Sequence, residues 1–229
     1  VPELIPVIDL MQGRVVHARR GDRQAYQPLR SRLVEGCVPA DVVDALLAST
    51  AARHIYIADL DAIRRLGGDH AAVIAALAGR HPQVEFWVDG GFADADAALA
   101  LHHATGATPV LGSESLTDPD ALTKLSAAGV PALLSLDYRG GVPLGADWAH
   151  QPTFWPTRVI AMELARVGSE AGPELALIDR LRAQRPDVAV IAAGGVRDAA
   201  DLAALDAAGV PAVLVASALH DGRLAGRRG

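Results

Sequence analysis

The chain has 229 residues, with 21 Lys and Arg against 27 Asp and Glu (formal net charge −6), and it is 51% AVILMFWYC but only 4% aromatic. The acidic balance argues against a general nucleic-acid binder, which would carry a basic stripe. The lack of a signal-type start or an 18-residue apolar run argues against an exported or membrane-spanning protein. One cysteine, Cys37, leaves no internal disulfide and suits a reducing cytosol, so the expectation is a soluble cytoplasmic protein with one domain over residues 1–229.

The first apolar run predicts a strand at 4–9 that ends in Asp9, and DLMQGRVV then turns through glycine and returns in an apolar stretch. HARRGDRQ (17–24) reads either as a mobile lid for a polyanionic ligand or as a solvated loop. A helix at 39–51 and a strand at 54–59 follow. The strand closes on YIADLDA, where one of Asp59 and Asp61 is expected to hydrogen-bond a substrate and the other to cap the turn. A helix at 69–80 leads to a strand at 84–89, then Gly90 and Gly91. Asp94 opens a helix at 94–104, and Gly106 follows it. The strand at 108–111 runs into Gly112 and Ser113. A helix at 118–128 has Asp118 as its cap and Pro119 in its first turn, with Gly129 behind it.

The fifth strand, 132–137, ends in Asp137, and DYRGGVPL repeats the glycine turn and apolar return seen after Asp9. Residues 143–157 are rich in Gly, Pro and Trp and lack helical period, so a fifth helix is expected to be missing there. Trp148, Phe154 and Trp155 in that stretch are expected in the core. A strand at 158–163, a helix at 173–184 with Pro173 in its first turn, and a strand at 188–193 ending in Gly194 and Gly195 come next. Asp198 opens a helix at 198–208 with Gly209 behind it, a strand at 212–215 reaches Ala216 and Ser217, and the last helix is rudimentary. Eight strands alternating with helices, over an aliphatic core, predict an α/β (β/α)8 TIM barrel.

In such a barrel the chemistry sits where strands end. Asp9 and Asp137 close strands one and five, which stand opposite each other, so the pair could take a proton from one substrate atom and deliver one to another. The chain also repeats itself: EFWVDGG lines up with VAVIAAGG at a lag of 104 residues (194 − 90), and the same lag sets Ser113 against Ser217. Strand, Gly-Gly, helix, strand and small residue plus Ser is a unit that can hold phosphate through backbone N–H groups. The two candidate grips are Gly90, Gly91, Gly112 and Ser113, and Gly194, Gly195, Ala216 and Ser217. The eight histidines, His102 and His103 among them, read as solvated or structural, and no spacing suggests a metal site.

PVIDLMQGRVV, YIADLDA, VDGGF, VLGSESL, LSLDYRGG, AAGGVRDAADL and LVASALHDG, in this order over nearly the whole chain, resemble the histidine-biosynthesis barrel family, and DLDA and SLDYRGG are more similar to its isomerase than to its cyclase. The internal repeat itself reads as a half-barrel duplication whose two grips would hold a ligand with two phosphates; the resemblance implies an Amadori rearrangement of a phosphorylated ribosyl-amine that likewise carries a phosphate at each end. It implies Asp9 as general base, Asp137 as general acid, and no metal or organic cofactor. It also assigns Gly168 and Ser169 to substrate binding. Two positions depart from the family pattern: Asp89 precedes Gly90-Gly91 where the family has a third glycine, and Val167 replaces the acid of an Asp-Gly-Thr signature. Two other readings therefore stand beside the isomerase: a relative acting on another phosphorylated metabolite in one-carbon cofactor (methanopterin or methanofuran type) synthesis, and a phosphate-binding barrel without turnover. The partner in every case is a small phosphorylated molecule; oligomeric state is not legible.

Overall fold

The computed structural model describes residues 1–19, 22–169 and 171–224. Eight parallel strands follow one another around the sheet: β1 (Glu3–Met11), β2 (His54–Asp59), β3 (Glu85–Asp89), β4 (Thr108–Gly112), β5 (Leu133–Arg139), β6 (Arg158–Glu163), β7 (Ala189–Ala193) and β8 (Ala212–Val215). β8 pairs back onto β1 from Glu3↔Ala212 to Pro6↔Val215, which closes the barrel. Every expected strand is present within two residues at each end. β1 and β5 are four strands apart in either direction, as the acid–base argument requires.

Period-two alternation divides the strands' side chains between two cores. Ile5, Tyr56, Trp87, Val110, Leu133, Ile160, Ile191, Ala212 and Leu214 fill the barrel. Ile8, Leu10, Ile57, Phe86, Leu111, Leu134, Leu136 and Val213 point outward against the helices. The same parity decides what reaches the mouth. Residues two or four beyond an inward side chain also point inward, so Asp9, Ala58, Asp89, Gly112, Asp137, Met162 and Ala193 face the barrel axis. Ser113, in step with Leu111, faces out.

The helices are Pro39–Thr50, Ala71–Arg80, Ala95–Thr105, Ala121–Ala127, Leu175–Gln184 and Ala199–Ala207, with short ones at Leu60–Ile63 and Ser217–His220. Asp94 caps by accepting from Ala97 N–H, and Asp198 by accepting from Ala200 and Asp201 N–H. Gly106, Gly129 and Gly209 take positive φ behind their helices. Asp118 does not cap. Its Oδ1 accepts from Asp120 N–H and its Oδ2 pairs with Lys124 at 2.7 Å, so the N-cap moves two residues on to Asp120 and Pro119 lies ahead of the helix. Pro173 likewise precedes its helix, one residue ahead of the N-cap Glu174.

The fifth helix is absent: two 3-10 turns, Asp147–His150 and Pro152–Phe154, join β5 to β6. Trp155 is buried and donates Nε1–H to Ala149 O at 3.1 Å, and Trp148 packs on the outer core. Phe154 is the exception to the core expectation, since 36% of it is exposed. The matched turns behind Asp9 and Asp137 prove to be matched hairpins. Met11↔Arg14 flanks Gln12 and Gly13, Arg139↔Val142 flanks Gly140 and Gly141, and all four turn residues have positive φ. The first hairpin returns as Arg14–Arg19, which pairs with Asp22–Pro28, so most of the anticipated lid segment is antiparallel ribbon; Arg20 and Gly21 lie outside the described residues. The second stops at Pro143, which has no N–H to extend a ladder.

Glu163 fastens this second hairpin to β6. Its buried carboxylate accepts from Gly140 N–H and Gly141 N–H at 2.9 Å and from Ala165 N–H at 3.0 Å. Burial alone would raise its pKa, but these N–H groups outweigh it and hold the carboxyl below 4.5. A carboxyl lowered on folding stabilises above its ordinary value and loses that contribution as pH falls through the folded one. Glu163→Gln is therefore expected to cost about 1–3 kcal/mol at pH 7 and much less near pH 3. Urea midpoints of both proteins at the two pH values check this.

Candidate active site

The carboxyl ends of the strands enclose a cavity of about 1080 Å³. Asp9, Tyr56, Asp89, Gly112 and Asp137 line one side, and Gly168, Ser169, Gly194, Gly195, Ala216 and Ser217 line the other. The two carboxylates predicted to cooperate thus share one space. Asp9 and Asp89 both sit level with Ala58, and Asp137 and Ala193 both with Met162. Asp9, Asp89 and Asp137, from three odd-numbered strands, all face the mouth of the barrel and line its cavity.

Asp137 is only 7% exposed. Its Oδ1 accepts from Ser135 Oγ–H at 2.8 Å, and its Oδ2 accepts from Glu114 N–H at 3.2 Å with Ser113 Oγ at 3.3 Å. Burial pushes its carboxyl above the usual 3.8 despite the lowering effect of these donors, and so favours the protonated form. Tyr56 donates its hydroxyl to Asp89 Oδ2 at 3.3 Å. Burial first, then the charges of Asp89, Asp137 and Asp9, raise its pKa well above 10, so it stays a neutral donor.

The two predicted phosphate grips differ. All four residues of the second, together with Gly168 and Ser169, reach the cavity. Of the first, only Gly112 does. Ser113 is fully buried outside the cavity lining, accepting from Asp137 N–H at 2.9 Å and facing Leu144 O at 2.9 Å. Its hydroxyl thus holds Asp137 in position from outside the cavity wall. A Cβ on Gly90 would meet the Phe92 ring at 2.8 Å, and one on Gly91 would meet Ile63 Cα at 3.0 Å, so local packing leaves room for glycine at both positions.

Asp59 and Asp61 also stay out of the cavity. Asp59 accepts from Ala62 N–H and His70 N–H, and Asp61 Oδ2 accepts from Gln12 N–H at 3.0 Å. Gly13 N–H donates to His70 Nε2 at 2.9 Å, which leaves Nδ1–H to donate to Asp59 Oδ1 at 2.7 Å. This network pins the turn behind Asp9. The sequence reading missed Tyr56, Glu114, Arg139 and His17 in the cavity wall. His17 lines the cavity with its Nε2 3.3 Å from Ser217 Oγ, a position that the reading of the histidines as solvated or structural did not specify. Inward parity on β2 was the available signal for Tyr56.

No helix among the described residues is long and apolar enough to cross a membrane. A family model described as histidine biosynthesis protein matches residues 3–225. A relative from Thermomicrobium roseum, named 1-(5-phosphoribosyl)-5-((5-phosphoribosylamino)methylideneamino) imidazole-4-carboxamide isomerase, is 32% identical over 236 residues, covering 96% of this chain and 93% of its own length. A protein of the same name from Bacteroides fragilis is 29% identical, with 97% and 95% covered. Phosphoribosyl isomerase A of Streptomyces griseus is 31% identical, with 95% and 92% covered. With a closed eight-stranded barrel, two carboxylates facing one cavity and a family match along nearly its whole length, the chain belongs to the histidine biosynthesis protein family.

Proposed function

We propose that this chain is an aldose–ketose isomerase that carries out an Amadori rearrangement of a phosphorylated ribosyl-amine; its relatives are named as isomerases of phosphoribosyl compounds. The observation that carries the reading is the meeting of Asp9 and Asp137, from opposite strands, in one cavity with a glycine-lined wall. In protonated form, favoured by burial, Asp137 donates to the furanose ring oxygen; the C1–O bond breaks as the nitrogen lone pair forms C1=N. Asp9 takes the proton from C2, and the enolamine closes to an aminoketose by gaining a proton at C1 and losing the one on the enol oxygen. Atoms and electrons balance without a co-reactant. The backbone at Gly194 and Gly195, with Gly168, Ser169, Ala216 and Ser217, holds a phosphate. The one-carbon-cofactor and non-catalytic readings draw no support from these relatives, each named as an isomerase.

The full chain, given the aminoaldose named for the Thermomicrobium relative, is expected to form the aminoketose; inertness toward it and toward other phosphoribosyl-amines would overturn the proposal. The acid assignment has a signature of its own. A general acid must be protonated, so kcat/KM falls as pH rises through the Asp137 value, which burial sets above 3.8. The Ser135 hydroxyl lowers that value. Ser135→Ala is therefore expected to move the alkaline limb to higher pH, and a limb that stays in place would remove Asp137 from the acid role.

A further inference from the structure

The duplicated half-barrels do not make equivalent anion seats. At the 104-residue lag, Asp89 stands opposite Ala193 and Glu114 opposite Ala218, so these two carboxylates of the first copy are alanine in the second. In the first copy, the donors a phosphate would use already serve protein carboxylates and carbonyls. Gly91 N–H donates to Asp89 Oδ1 at 2.9 Å, Glu114 N–H to Asp137 Oδ2 at 3.2 Å, and Ser113 N–H to Ser135 O at 2.8 Å. Gly112, the only residue of that copy's grip to line the cavity, is where two carboxylates converge: a Cβ there would lie 3.3 Å from Asp137 Oδ2 and 3.8 Å from Asp89 Oδ2. The loop behind β5 then covers the strand end, for a Cβ on Gly145 would run into the Ser113 carbonyl and Ala146 N–H donates to Ser113 O at 3.3 Å. Across the mouth, Ala193, Gly194, Gly195, Ala216 and Ser217 all reach the cavity.

We infer that the ligand of this chain carries one phosphate, held at the β6–β8 end, and that its other end, over β3 and β4, is an uncharged or cationic group rich in hydroxyl or amino donors. Asp89 fills the first seat with an anion of the protein's own. What it then offers a ligand is an acceptor, held in place by Gly91 N–H and Tyr56 Oη–H, and the Glu114 carboxylate at the cavity wall suits the same kind of group. A second phosphate arriving there would find its donors taken and a negative charge a few ångströms away. For the reaction type this inference rests on the isomerase proposal; for the number of anions bound it does not.

Titration of the full wild-type chain with inorganic phosphate, followed by calorimetry and by phosphorus NMR, is expected to show one saturable site. Two sites, the second held by the rim arginines Arg64 or Arg139, or no site at all, would overturn the inference. Asp89→Gly is expected to add a second site, and the wild-type count decides the matter if that variant does not fold. In turnover, an aminoaldose bearing only the β6–β8 phosphate should match or exceed the bisphosphorylated compound in kcat/KM. Asp89→Gly should shift that ratio toward the bisphosphate at least tenfold. A hundredfold wild-type preference for the bisphosphate would sink the inference. Failure to turn over either compound would count against the isomerase proposal, and the phosphate count would still judge this one.

Discussion

Asp9→Asn and Asp137→Asn are each expected to lower kcat by about 10²- to 10⁴-fold, the usual worth of a positioned general acid or base. Neither amide can hold or release the required proton, yet each keeps the shape of the side chain it replaces. Asp137→Asn should not cost stability at pH 7. Folding raises the Asp137 carboxyl above 3.8, which means the buried charge is a burden to the folded state at neutral pH. An uncharged amide relieves that burden while still accepting from Ser135 Oγ or Glu114 N–H. Inactivity with an unchanged or higher melting temperature is the expected combination. Inactivity together with unfolding would point instead to a structural duty, and full activity in either variant would remove that residue from the acid–base pair.

Gly195→Ala carries the second large effect. The residue sits at φ +82°, where an L side chain is strained, and a Cβ there would run into the carbonyl of Gly172 and lie 3.3 Å from Arg166 Cβ. Backbone cannot yield as a flexible side chain does, so the turn behind β7 must move. That turn forms the glycine-lined wall assigned to phosphate. Losing one or two charge-assisted hydrogen bonds, roughly 1.5–3 kcal/mol, corresponds to a KM about 10- to 100-fold higher for phosphorylated substrates, with kcat changed far less because Asp9 and Asp137 stay in place. Affinity for inorganic phosphate should fall in parallel. Unchanged phosphate affinity in a folded variant would place the anion elsewhere.

The barrel was legible because its signals are local. Apolar runs ending in Asp or Gly-Gly, Asp94 and Asp198 ahead of Ala-rich helices, and glycines behind them each specify a few residues of backbone. Pro152 and Pro156 were enough to show that no helix follows β5. DPDAL defeated the local reading because two aspartates compete, and Asp118 spends its carboxylate on Asp120 N–H and Lys124. Ser113 shows where such reading stops. It matches Ser217 in the text, yet it is still bonded into the β4 ladder with outward parity, and only a contact 24 residues away, to Asp137, fixes its duty. Parity counted from Leu111 would have shown it facing away from the mouth. The first hairpin was read as lid or loop because a highly charged ribbon carries little apolar alternation. His17 came to the cavity on that ribbon, and its contact with Ser217 spans 200 residues, which no local pattern encodes.

Wash-in of solvent deuterium at the substrate carbon skeleton is the sharpest probe of the acid–base pair. Wild-type protein turning over in heavy water should yield aminoketose labelled at C1, with a primary isotope effect when C2 is deuterated beforehand, and Asp9→Asn should abolish both. Label appearing at the wild-type rate in Asp9→Asn would contradict proton abstraction by Asp9 across from Asp137.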